Sequence, residues 1–161
     1  MGNKPVVLLY DLDNVLVDEC SMLIGQTGLY TTINTYNETN AREVIGQYNR
    51  CFGLLTNRLS CVITGWNRYK KPRDQLLFTM RAQEKRSALR SATPVILVAE
   101  DHRYDLRELA LDPMGGFVSA YLHVDDFEEY ISDTLHKIVF GKRAHEMNAI
   151  AYAKLKHESS D

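Results

Sequence analysis

The feature that most constrains this chain is a run of five apolar residues, Val6-Val-Leu-Leu-Tyr10, followed at once by two acids, Asp11 and Asp13. A short continuous apolar run rich in β-branched side chains suits a strand buried on both faces of a parallel sheet. Burial on both faces calls for helices above and below, so the run predicts an α/β domain. In an open parallel sheet, ligands bind beyond the carboxyl ends of the strands, so acids just past a buried strand stand where a site is expected.

Two more runs repeat the pattern. Leu59-Ser-Cys-Val-Ile-Thr-Gly65 reads as a buried strand, and after the break at Thr93-Pro94 so does Val95-Ile-Leu-Val-Ala-Glu-Asp101, which continues into His102-Arg-Tyr-Asp105. Phe117 to Leu122 reads as a last strand. Helical spacing of Ala41, Val44, Ile45, Tyr48 and Phe52 predicts a helix over 41–52, opened by Asn40 and Glu43 as a capping box and closed by Gly53. Asp125 or Asp126 caps another helix carrying Phe127, Tyr130, Ile131, Leu135 and Ile138. Between Trp66 and Ala92 two readings stay open: a helix from Pro72 to about 91, or a strand over 75–81 followed by a short helix from Lys85. Ser21 to Tyr36, around Gly25-Gln-Thr-Gly28, reads as a hairpin. The alternation of strands and helices predicts a three-layer, Rossmann-like α/β fold with a central parallel sheet. Residues 1–161 then form one domain, with a small flap at about 20–36 and an extra C-terminal helix at about 142–157.

Composition narrows the setting. The net charge is −2 across 161 residues, which argues against a chain that wraps nucleic acid electrostatically. The cysteines Cys20, Cys51 and Cys61 are odd in number and lack zinc-type spacing, so they read as reduced thiols of a cytoplasmic protein. No apolar run approaches the ~18 residues of a membrane span.

Carboxylates from two strand ends, Asp11 and Asp13 with Asp101 and Asp105, can share a hard cation, and Mg²⁺ is the natural choice. With Asp11 aimed at a phosphate, it would be the nucleophile and Asp13 the general acid. The plainer reading makes both acids N-terminal or turn residues near a helix start.

The run Leu9-Tyr-Asp-Leu-Asp-Asn-Val-Leu-Val-Asp18 resembles the first motif of the haloacid dehalogenase-like phosphohydrolases, and Asp101 to Asp105 resembles their fourth. The resemblance implies a capless, Mg²⁺-dependent phosphatase of a phosphomonoester, working through an aspartyl-phosphate on Asp11. It implies phosphate binding by Thr64 and Gly65 and by Lys71 or Lys85, with a phosphorylated small molecule, a nucleotide or a nucleic-acid end as partner. The chain is also similar to NYN and PIN-like ribonucleases: Asp11-Leu-Asp-Asn14, Lys71-Pro-Arg-Asp74 and the acids at 101 and 105 match that pattern. A nuclease site would then comprise Asp11, Asn14, Asp74, Asp101 and Asp105, with metal-activated water attacking. A third reading is a binding module that keeps the fold without turnover. No membrane partner is expected, and the C-terminal helix is the expected route to a homo-oligomer.

Overall fold

A computed structural model describes residues 4–11, 13–50, 59–66, 76, 79, 80, 82, 93–99 and 120–141. In chain order these residues form β1 (Val6–Tyr10), α1 (Asn14–Gln26), β2 (Thr31–Thr35), α2 (Glu38–Arg50), β3 (Leu59–Trp66), β4 (Val95–Ala99), β5 (Ala120–His123) and α3 (Phe127–Phe140). All five strands pair in parallel, in the order β2-β1-β3-β4-β5. This is the flavodoxin-like doubly wound order, whose direction reverses between β1 and β3.

Strict alternation along β1 builds the three layers. Val6, Leu8 and Tyr10 join one buried cluster with Ala41 and Ile45 of α2, while Val7 and Leu9 join another with Val17, Cys20 and Ile24 of α1 and Phe127, Ile131 and Leu135 of α3. A strand clothed on both faces needs no polar alternation, which is why Val6–Tyr10 reads as pure hydrocarbon. In β3 the register slips by one residue: Val6 pairs with Leu59, but Val7 pairs with Cys61. The extra residue at Ser60 lets Leu59 face the α2 side and Cys61 the α1 side, two faces that an unbroken period of two would not separate.

Two local expectations change. Residues 20–36 are not a hairpin flap but the second half of α1, a turn and the edge strand β2, parallel to β1. Val17, Cys20 and Ile24 recur at helical spacing and are buried, and that stripe outweighs the glycine signal. The turn Gly25–Gly28 ends a helix instead: Thr27 N–H reaches Ile24 O at 3.2 Å, Gly28 N–H reaches Gly25 O at 3.1 Å, and Gly28 takes φ +69°. The cap of α2 is Asn37 in place of Asn40, for Asn37 Oδ1 accepts the Asn40 N–H at 2.8 Å. Gly53, and the strand residues expected at 117–119, lie outside the described residues.

Between β3 and β4 the described residues Leu76, Thr79, Met80 and Ala82 are helical, in agreement with the helix reading of this segment and against the strand at 75–81. Leu76 and Met80 are buried on the α2 side. The helix expected at 142–157, and any oligomer through it, falls outside the described residues. α3 closes at Gly141, where an added Cβ would collide with the Lys137 carbonyl. No helix among the described residues is long and apolar enough to cross a membrane.

Candidate functional site

The candidate site is the crevice at the carboxyl ends of β1 and β3, where the strand order reverses. β1 delivers Asp11 there, its side chain buried at 3% exposure. The backbone N–H of Asp11 still reaches Thr35 O of β2 at 3.4 Å, so Asp11 leaves the sheet without leaving its ladder. Thr35 is buried and donates its hydroxyl to Leu9 O at 2.7 Å, which ties the end of β2 to β1.

Asp11 Oδ1 accepts the Asp13 N–H at 2.9 Å, an Asx-type turn that bends the chain out of the strand. Asp13, at the N-cap of α1, then accepts the Val15 N–H at Oδ1 over 3.0 Å, and its carbonyl takes the Val17 N–H at 3.3 Å. The two acids therefore divide the work of one turn: Asp11 is buried in the crevice, while Asp13 is exposed at its rim and caps the helix. Asn14 is the first residue of α1 and is exposed.

Across the sheet, Tyr10 pairs with Thr64 and Gly65 pairs with Val98. Asp11, Thr64 and Gly65 line one cleft, floored by Leu16, Val17 and Cys20 of α1 and by Phe127 of α3. Its empty volume, counting the solvent space at its mouth, is about 230 Å³. Cys20 offers no nucleophile to this cleft, because burial pushes its thiol up to about 12 and keeps it protonated. Cys20 and Cys61 are both buried, without a disulfide.

Sequence reasoning passed over the α1 residues that form the floor, though the spacing of Leu16, Val17, Cys20 and Ile24 carries that signal. It also passed over His123, the last residue of β5 at the same end of the sheet. His123 Nδ1 accepts the Asp125 N–H at 3.1 Å and lies 3.4 Å from Asp125 Oδ2. Lys71, Asp74, Lys85, Asp101 and Asp105 lie outside the described residues. Within the described residues no group of three or more His, Cys, Asp and Glu side chains gathers at a point that could hold a metal. The oxygens at the end of β1 are nonetheless of the hard type that Mg²⁺ takes, usually through one or two carboxylates with waters completing its shell.

No protein-family model matches the chain, and no curated protein matches it. Solved structures do. The signal receiver domain of an HD domain-containing protein from Pseudomonas fluorescens Pf-5 superposes with a TM-score of 0.66 at 18% identity, covering 91% of this chain and 93% of that one. The signal receiver domain of the putative response regulator NarL from Mycobacterium tuberculosis gives 0.66 at 14%, over 88% and 100%. A signal receiver domain of two-component signal transduction (histidine kinase) from Clostridium thermocellum gives 0.61 at 16%, over 85% and 98%. These likenesses overturn the resemblance to haloacid dehalogenase-like phosphohydrolases and to NYN and PIN-like ribonucleases. With it go the phosphatase and nuclease activities and the phosphorylated small molecule or nucleic-acid end as partner. The physical reason lies in the first forty residues: the segment expected to be a flap over an open active site is instead a helix and a strand of the sheet. What the chain shares with the solved receiver domains is their fold.

Proposed function

We propose that this chain is a signal-receiver-type module, which takes up a signal at the carboxyl ends of its strands and passes it on by contact with another protein. The observation that supports this reading is the agreement of one doubly wound sheet with signal receiver domains over nearly their whole length, 93% to 100% in the three compared. The partners implied are those named with such domains: a histidine kinase on the input side and an output domain of a response regulator on the other. The cytoplasm is the matching compartment, where the thiols of Cys20 and Cys61 stay reduced.

The residues at the end of β1 fit Mg²⁺. Asp11 would contribute a buried carboxylate and Asp13 a second at the rim, with waters completing the shell. The ion would supply positive charge at the carboxyl ends of β1 and β3. Asp11 would do the holding, its carboxylate fixed at Oδ1 by the Asp13 N–H. Thr64 and Gly65 form the opposite wall, and the apolar floor from Leu16, Val17 and Phe127 limits water around the charge. Asp101 and Asp105 follow β4 in sequence, and the reading assigns them to the same cation.

Trp66, the one tryptophan of the chain, ends β3 next to Gly65. Adding Mg²⁺ should change its fluorescence saturably in the wild type and at least tenfold more weakly in Asp11→Asn. Steady release of phosphate from a phosphomonoester, or a response unchanged in Asp11→Asn, contradicts the reading.

A further inference from the structure

The run Cys20 to Asn37, eighteen residues long, contains no Asp, Glu, Lys, Arg or His, although 25% of the chain is Asp, Glu, Lys or Arg and about four would be expected. It forms the second half of α1, the turn at Gly28 and all of β2. β2 is an edge: it pairs with β1 on one side, and no strand among the described residues pairs with the other. Edge strands usually carry a defence against pairing, such as an exposed charge, a proline or a bulge. β2 has none of these. Its sequence is Thr-Thr-Ile-Asn-Thr, and its register with β1 is unbroken over five residues.

Backbone direction follows from two bonds. Thr31 N–H donates to Pro5 O at 2.9 Å, and Thr35 O accepts the Asp11 N–H. Residues 31, 33 and 35 thus spend their backbone groups on β1, and Thr32 and Asn34 turn theirs outward. Apolar surface collects on the same border. Leu29, 44% exposed, directly precedes the strand's Tyr30 lead-in, and the ring of Tyr36, 38% exposed, directly follows β2, its hydroxyl donating to Asp18 Oδ1 of α1 at 2.7 Å. Ser21 Oγ sits 3.1 Å from Thr32 Oγ1, which brings α1 over the strand beside Met22, itself 58% exposed. Three of the six large hydrophobic residues exposed among those described therefore border this one edge.

We propose that β2 pairs antiparallel with β2 of a second copy of this chain, joining two sheets into one. A two-fold axis at Ile33 sets Thr32 opposite Asn34 of the second copy and Asn34 opposite its Thr32. Both residues present outward backbone donors and acceptors, so each pair exchanges two hydrogen bonds. Self-pairing also explains the absence of charge from the strand itself, Thr31–Thr35. Across a two-fold interface the same patch meets itself, and any net charge on it repels its own image. A strand from an unlike partner would have no such requirement.

Sedimentation velocity on the full chain over a range of concentrations tests this. The wild type should form a dimer. Asn34→Pro removes an outward N–H that β1 does not use, a placement that edge strands tolerate, and should weaken dimerisation at least tenfold. Met22→Glu, which leaves the backbone alone, should do the same by setting like charges near the axis and decides the matter if the proline variant fails to fold. Val15→Glu, 64% exposed at the other end of α1, should dimerise as the wild type does. A wild type that stays monomeric at the highest soluble concentration overturns the proposal and leaves the edge to a strand of another protein. A dimer indifferent to both Asn34→Pro and Met22→Glu overturns it as well.

Discussion

β1 and β2 run side by side in register over five residue pairs, yet they share almost nothing in composition. Val6–Tyr10 is buried throughout, while Thr31–Thr35 is graded from exposed to buried and holds one strongly apolar residue, Ile33. Both strands take up the same backbone geometry. What separates them is position: the inner strand is covered by helices on both faces and strands on both edges, and the outer one has no strand on one edge among the described residues. Each strand is written for its surroundings, and chemistry enters where the surroundings change, at Asp11 when β1 leaves the sheet and along the open side of β2.

The largest effect should come from the inner strand. Leu8→Ala removes a fully buried side chain from the α2-side cluster and should cost about 2–5 kcal/mol. Ile33→Ala, half-buried beside that cluster, should cost roughly 1 kcal/mol by the area it uncovers. Urea unfolding of both variants checks the ratio, and equal losses would mean that β2 is as enclosed as β1. Thr35 is the buried link between the strands, and Thr35→Val should cost about 1 kcal/mol by deleting the bond to Leu9 O. Asp13→Ala should also cost about 1 kcal/mol through the lost α1 cap, and should weaken the Mg²⁺ response less than Asp11→Asn does.

The last expected effect is confined to alkaline pH. Burial raises Cys20 from 9.0 to about 12, so the folded protein keeps a proton that the unfolded chain releases above pH 9. Stability should be flat below that value and fall as pH rises from about 9 towards 12. Tyr30, raised by burial and by nearby Cys61, acts in the same direction. Denaturant midpoints measured on either side of pH 9 check the sign, and alkylation of Cys20 should require unfolding.

The same contrast accounts for what the sequence revealed. β1, β3 and β4 were legible because strands buried on both faces carry continuous apolar runs, and three of them imply a three-layer parallel sheet. β2 was not legible, because an edge strand of threonines and one asparagine has neither a continuous apolar run nor clean alternation. α1 was hidden for a related reason. Gly25 and Gly28 advertise a turn louder than Val17, Cys20 and Ile24 advertise a stripe, and only the packing against α3 shows which signal governs. Asp11 was legible as the buried residue that follows β1, because position alone marks it. The Asp-x-Asp spacing misled on family, since any chain leaving a buried strand for a helix can use one acid to turn and the next to cap. Asp11 and Asp13 do both. Two acids after a strand thus report a strand end at a switch point and leave the chemistry open.

The proposed receiving point lies where β1 and β3 part. Amide chemical-shift mapping by NMR during a Mg²⁺ titration locates it. The shifts should concentrate at Asp11–Val17 and Thr64–Trp66, with β2 and the C-terminal half of α3 unmoved, and Asp11→Asn should abolish them. Shifts centred on α3 or the β2 edge, or a pattern unchanged in Asp11→Asn, would contradict it.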